Sequence, residues 1–258
     1  MKANQTMEQE AAAVTFTETL ARDFPGAVAT NQFVSGTQNA LARHGILRGG
    51  ALPMIATCRD ELAFALTAEL QRAWGGAFNM AGLAGLFTLG RTGVIAARGH
   101  APLVDGRRTF VLIGLTHIGI DESGQVGYCE RPGVPGLSRT CGALLALADA
   151  LHDDDTHASD YPYLDPYDPE QSRLRERIAP RVPDAAKADL LDLTRIACDL
   201  IDQDTTSVVE LLREDEIPAD VAIFTGIHIH GPRGAEFVQL SQRLLDKADG
   251  AVVEVSLD

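Results

Sequence analysis

Three residues able to bind a soft metal ion, Cys58, His117 and Cys141, stand where apolar stretches of this sequence begin or end. Cys58 follows Ala51-Leu52-Pro53-Met54-Ile55-Ala56-Thr57, His117 follows the run Arg108 to Thr116, and Cys141 precedes the helical pattern Ala143 to Leu151. Two thiolates and one imidazole make three legs of a tetrahedron and leave the fourth position for water, the donor set of a catalytic zinc site and not of a closed structural one. Asp60, just after Cys58, is close enough to ligate the metal or to accept a hydrogen bond from its water, and Arg59 is the candidate partner that holds this carboxylate ionised. The cysteines form no CxxC pair, so buried free thiols beside a packed histidine are the competing reading.

Residues so far apart meet only if the fold brings strand ends together. Ala51 to Thr57 and Arg108 to Thr116 are continuous apolar runs of strand length, which suit parallel strands covered on both faces. Thr15 to Phe24, Gln38 to Arg43, Glu61 to Trp74 with Asp60 as its cap, and Ala143 to Leu151 carry helical patterns. The Gly-rich stretch Asn79 to Leu86 is also expected to be helical, and Gly133 to Arg139 to be a loop. Asp153 to Pro169, with Tyr161, Tyr163 and Tyr167, reads as a surface excursion that opens a helical insertion over about 153–215. Val221 to His230 and Ala251 to Val255 read as strands, with a helix at Ala235 to Lys247 between them. Strands alternating with helices predict an α/β fold around a mainly parallel sheet, in one domain spanning 1–258. The carboxyl ends of such strands share one edge, where sites collect.

Composition narrows the function classes. The chain of 258 residues carries 36 acidic and 22 basic side chains, a net charge of −14, which argues against a nucleic-acid partner. At 45% hydrophobic and 22% charged it has the makeup of a folded protein, not a disordered one. Four cysteines are too few for a disulfide scaffold and suit a reducing compartment. Glu8, Glu10, Glu18 and Asp23 interrupt any signal-peptide apolar region, and no apolar stretch approaches the ~18 residues that span a bilayer, so a cytoplasmic location without a membrane partner is expected.

The ordered set Cys58-Arg59-Asp60-Glu61, Gly82-Leu83-Ala84-Gly85, Thr116-His117-Ile118-Gly119-Ile120-Asp121 and Cys141-Gly142 resembles the limiting-CO2-inducible protein B/C family, of the β-carbonic anhydrase group of folds. The resemblance covers about residues 50 to 145 and runs more loosely to Ile223 to Pro232. It implies a β-carbonic anhydrase-like fold, usually dimeric, with Zn2+ on Cys58, His117 and Cys141. It also implies reversible hydration of CO2 to bicarbonate by a zinc-bound hydroxide, with Asp60 accepting a hydrogen bond from that hydroxide. The alternative is a catalytically silent zinc-containing homologue that binds bicarbonate or serves as a scaffold subunit. Ordinary β-carbonic anhydrases read Cys-x-Asp-x-Arg, whereas position 62 here is Leu, so the Asp60 partner is Arg59 or a different arginine, with Arg91 as a spare candidate.

Other candidates have plainer readings. His100, in Arg98-Gly99-His100-Ala101-Pro102, is a proton-relay candidate against a solvated or capping histidine. His228 and His230 alternate and so share one strand face, which favours a structural role because no acidic or cysteine partner lies nearby in sequence. His152, Asp153, Asp154, Asp155 and His157 form a solvated acidic loop. Gly82 to Gly93 matches neither phosphate-binding glycine pattern, and no GxSxG nucleophile elbow is present. Cys129 and Cys198 fall in no motif, and Cys198 sits on the packed side of a helical period.

Overall fold

The computed structural model describes residues 15–152 and 165–257. In chain order the elements are helix α1 (15–23), strand β1 (Val28–Ala29), α2 (Thr30–Ala42), β2 (Leu52–Thr57), α3 (Phe64–Trp74), β3 (Phe78–Asn79) and α4 (Gly90–His100). They continue with β4 (Leu103–Val104), β5 (Arg107–Gly119), β6 (Tyr128–Arg131), β7 (Val134–Arg139) and α5 (Gly142–His152). From residue 165 onward come α6 (Pro169–Ile178), α7 (Leu190–Leu212), β8 (Ala219–His230), β9 (Glu236–Asp246) and β10 (Val252–Glu254).

Strands β3, β2, β5 and β8 run parallel side by side. Strand β9 closes the β8 edge antiparallel and carries β1 and β10 beyond it. The fold is thus α/β with a mostly parallel central sheet between helices, as the apolar runs predict. Every residue of β5 from Phe110 onward is buried, as is nearly all of β8, because helices cover both faces. Phe33 and Leu41 of α2 and Leu66, Leu70 and Trp74 of α3 pack on Val111, Ile113 and Phe224 of one face. Val94 of α4 and Val208 and Leu212 of α7 pack on Phe110, Leu112 and Ile223 of the other. The helical stretch expected as an insertion therefore includes a layer of the core, since α7 lies directly on β5 and β8. Asp153 to Asp155, His157, Tyr161 and Tyr163 of the expected surface excursion lie outside the described residues.

Three local expectations need correction. Residues 236–246 form β9, not a helix: Val238 and Leu245 face the core while β9 pairs with β8 from Val221 to His230. Pairing the exposed edge of a long buried strand outweighs the helical spacing of Leu240, Leu244 and Leu245. The glycine-rich stretch is strand β3 and a single 3-10 turn at Leu83–Gly85. A Cβ on Gly85 would lie 2.2 Å from the Leu115 carbonyl oxygen, so glycine lets this turn press against β5 just before His117. Finally, Val134–Arg139 is β7, which pairs with β6 in a hairpin of its own.

Candidate metal centre

The parallel register brings the widely spaced ligand candidates to one sheet edge. Cys58 leaves the end of β2, next to Gly82 through an isolated bridge. His117 stands near the end of the adjoining strand β5, and Cys141 directly precedes α5. The three offer ligand atoms within 4.8 Å of one another, and all three side chains are buried. The sulfurs of Cys58 and Cys141 are 3.7 Å apart. Two sulfurs each ~2.3 Å from a tetrahedral zinc would stand ~3.8 Å apart, so the pair already has the separation such an ion demands. The Cys141 thiol donates to Cys58 and lowers its pKa, with His117 adding to the effect against burial, whereas Cys141 is pushed up by retaining the proton and by burial. The backbone amides of Ala143 and Leu144, in the first turn of α5, partly offset that rise.

His117 supplies a further test of fit. Its Nδ1 is 3.0 Å from Nε2 of His230, while its Nε2 is buried with no hydrogen-bond partner and lies 3.9 Å from Oδ2 of Asp60. A buried, unpartnered ring nitrogen beside two sulfurs is the third leg of the donor set. The residues therefore fit a zinc ion.

Asp60 faces this cluster, but its partner is not the arginine expected from sequence. Arg131 of β6 grips it at both oxygens, Nη1 to Oδ1 and Nη2 to Oδ2, each at 2.9 Å, and the Leu62 amide also donates to Oδ1 at 3.1 Å. Burial opposes ionisation of Asp60, but Arg131 and the facing His117 outweigh it and hold the carboxyl below its usual range. Arg131 is itself fixed by Glu61 and by the Thr140 hydroxyl at 3.3 Å. Arg59 turns outward to an exposed ion pair with Glu170 of α6, and Arg91 pairs with Glu214. The Asp60 partner is thus Arg131, because the Arg131 side chain reaches Asp60 from β6 whereas that of the neighbouring Arg59 reaches Glu170.

The sequence signal for Arg131 is Pro132-Gly133, a turn pair between Tyr128-Cys129-Glu130-Arg131 and Val134. A hairpin there puts Arg131 beside the stretch leading to Cys141. His100 is not brought to the site: its ring packs edge-on to Phe78, 5.7 Å between centroids, near the start of β2 and not its end. Cys129 bonds the Thr140 hydroxyl at 2.9 Å, and Cys198 is buried on α7, where burial pushes its thiol up to about 12.

Behind His117 lies a second group that the sequence hides. His228 is the register partner of His117, and His230 that of Glu236 on β9. Glu236 is the acidic neighbour that sequence proximity lacks, with oxygens 3.7 Å from His228 Nε2 and 3.5 Å from His230 Nδ1. Burial depresses both imidazoles, His230 to about 3. Burial would raise Glu236, but the two imidazoles prevail and hold it at about 2.

An α/β sheet with a cysteine–histidine–cysteine cluster at its carboxyl edge and a carboxylate–guanidinium pair beside it defines a β-carbonic anhydrase-like protein. Residues 27–244 match the family model described as limiting CO2-inducible proteins B/C beta carbonic anhydrases, and the chain belongs to that family. Two solved structures resemble it over nearly its whole length. One is PtLCIB4, a homolog of the limiting CO2-inducible protein LCIB, at 25% identity over 93% of this chain and 99% of that one, with a TM-score of 0.78. The other is LCIB, at 28% identity over 93% of this chain and 98% of that one, with a TM-score of 0.73. No curated protein matches significantly. Among the described residues, no helix is long and apolar enough to cross a membrane.

Proposed function

We propose that this protein is a zinc-dependent carbonic anhydrase that interconverts CO2 and bicarbonate, with Cys58, His117 and Cys141 as the metal ligands. The observation that carries the reading is the buried cluster of these three side chains, with an unpartnered imidazole nitrogen facing Asp60, in a chain of this family. Zinc, when bound, supplies the Lewis acidity that lowers the pKa of water toward ~7 and makes hydroxide available at neutral pH. The residues of the chain do the rest. Asp60, kept ionised by Arg131, has no hydrogen to give and so acts as an acceptor. Its Oδ2, on the side of His117, would accept a hydrogen bond from the hydroxide and so aim an oxygen lone pair at the carbon of CO2. CO2 is neutral, so the net negative charge of the chain neither guides nor repels it. The homodimer implied by the family resemblance belongs to the same reading, and light scattering is expected to give twice the chain mass.

Metal content and stopped-flow CO2 hydration on one preparation test the proposal. One zinc per chain and a rate well above buffer are expected. Stoichiometric zinc with no such rate overturns the catalytic reading and leaves a bicarbonate-binding or scaffold role. Asp60→Asn is expected to keep the metal while lowering the rate about 10²-fold or more, the cost of losing the group that orients the attacking oxygen. Near-normal turnover would remove Asp60 from the reaction.

A further inference from the structure

Two clusters among the described residues have the composition of metal sites: Cys58, His117 and Cys141, and, one strand further into the sheet, His228, His230 and Glu236. They are joined by the 3.0 Å contact between His117 Nδ1 and His230 Nε2. That contact decides what the second cluster does. A neutral imidazole carries one N–H, and a nitrogen bound to a metal cannot be the one that carries it. If His117 gives Nε2 to a metal, its hydrogen must sit on Nδ1, pointing at His230. If His230 gave Nδ1 to a second metal, its own hydrogen would sit on Nε2, pointing back at His117. Two hydrogens would then occupy a gap that holds one, so both sites cannot be filled unless one ring loses its single N–H hydrogen and becomes imidazolate.

Resting on the assignment of zinc to Cys58, His117 and Cys141, we propose that His230 and Glu236 form a positioning chain for His117 and not a second metal site. His117 Nδ1–H donates to His230 Nε2, and His230 Nδ1–H points to Glu236 Oε1, 3.5 Å away. The chain fixes the tautomer that leaves His117 Nε2 bare, and it fixes the ring plane as well: the His117 and His230 rings meet edge to face at 86°. A negative carboxylate 3.5 Å beyond the His117–His230 hydrogen bond makes the ligating nitrogen a better donor. The fold supplies this order directly, because β5, β8 and β9 are neighbours and the chain crosses the sheet from one strand to the next. His228 lies beside the chain, its ring centroid 4.2 Å from that of His230, and supplies no link in it.

The wild-type protein can be tested without a variant. Long-range proton–nitrogen spectra of the zinc-loaded protein, labelled with nitrogen-15 in histidine, are expected to show His117 and His230 both carrying hydrogen on Nδ1, with one zinc per chain. Hydrogen on Nε2 of His230, or a second zinc that is lost in His228→Leu, overturns the chain while leaving the first metal site standing. Absence of zinc from the wild-type protein overturns the underlying metal assignment and the chain with it. Chelator competition provides the independent reading. His230→Phe, which removes the acceptor, is expected to weaken zinc binding about 10–100-fold. His230→Gln, whose amide oxygen can replace Nε2 as acceptor, should recover most of that loss. Equal zinc affinity in the two variants would show that His230 serves packing alone.

Discussion

The two clusters around β5 and β8 each gather three ligand-type atoms within 4.8 Å, two sulfurs and a nitrogen in one, two nitrogens and a carboxylate oxygen in the other, and they are built differently. The first draws on four separate elements: Cys58 from the end of β2, His117 from β5, Cys141 from the start of α5, and the Asp60-gripping Arg131 from β6. The second needs only two adjacent strands, with His228 and His230 on β8 and Glu236 opposite His230 on β9. In the first, the sulfurs compete for a proton and one ring nitrogen is left bare, so a divalent cation would relieve both defects at once. In the second, the Glu236 carboxylate lies 3.5 Å from His230 and 3.7 Å from His228, and both ring nitrogens of His228 are buried without a hydrogen-bond partner. Closeness of ligand-type atoms therefore does not by itself define a metal site; the gap between His117 and His230 holds one hydrogen and so sets the two clusters against each other.

The largest expected effect comes from breaking the first cluster. Cys141→Ser is expected to take zinc from one per chain to a trace by elemental analysis, since the hydroxyl is a poor substitute for a thiolate on this ion. Zinc retained at one equivalent would mean that Cys141 is not a ligand, or that the second cluster binds metal after all. Next is Arg131→Ala. Asp60 would then be left as a largely buried carboxylate with only the Leu62 amide, and a loss of about 3 kcal/mol is expected in urea unfolding, as for a buried pair deprived of one partner. A change below about 0.5 kcal/mol would show that the guanidinium does not hold Asp60 in solution.

These two regions were unequally legible in the sequence. Cys58, His117 and Cys141 could be singled out because each adjoins an apolar run whose length and continuity predict a parallel strand or a packed helix. Parallel strands align their carboxyl ends whatever the chain length between them. The Asp60 partner could not be read by proximity, because in an extended chain entering a turn the adjacent side chain points away from its neighbour, and Arg59 accordingly reaches Glu170. Glu236 was hidden by the misreading of β9 as a helix. As a helix, residues 235–247 would not align with β8, whereas as an antiparallel strand they bring Glu236 to His230. A long buried strand with an unpaired edge was the signal for a strand after the turn at Gly231-Pro232-Arg233-Gly234, and it outweighed local helical spacing.

The second cluster gives a smaller effect, in the pH dependence of stability. Glu236 ionises at about 2 in the folded protein against an ordinary 4.5, so its contribution is fully present above 4.5 and is lost as pH falls toward 2. Over that window the unfolded chain binds the extra proton, which makes stability fall with falling pH. Glu236→Gln removes this dependence. The difference in urea midpoint between wild type and Glu236→Gln is therefore expected to shrink as pH is lowered from 5 toward about 3. A constant difference would mean that the imidazoles do not hold Glu236 ionised.

The smallest effect is expected at Arg59, and it sharpens the contrast between the two arginines beside the first cluster. The Arg59 side chain is 56% exposed and that of its partner Glu170 is 29% exposed, against 14% and 10% for Arg131 and Asp60. Water and salt screen the outer pair, and ordering two long side chains consumes much of what attraction remains. Arg59→Ala should therefore change unfolding stability by about 0–1 kcal/mol, and the difference should fade further in high salt. Arg131→Ala should keep most of its effect under the same salt, because its pair is largely shielded from mobile ions. A larger loss at Arg59 than at Arg131 would invert the assignment and return the Asp60 partnership to the adjacent residue.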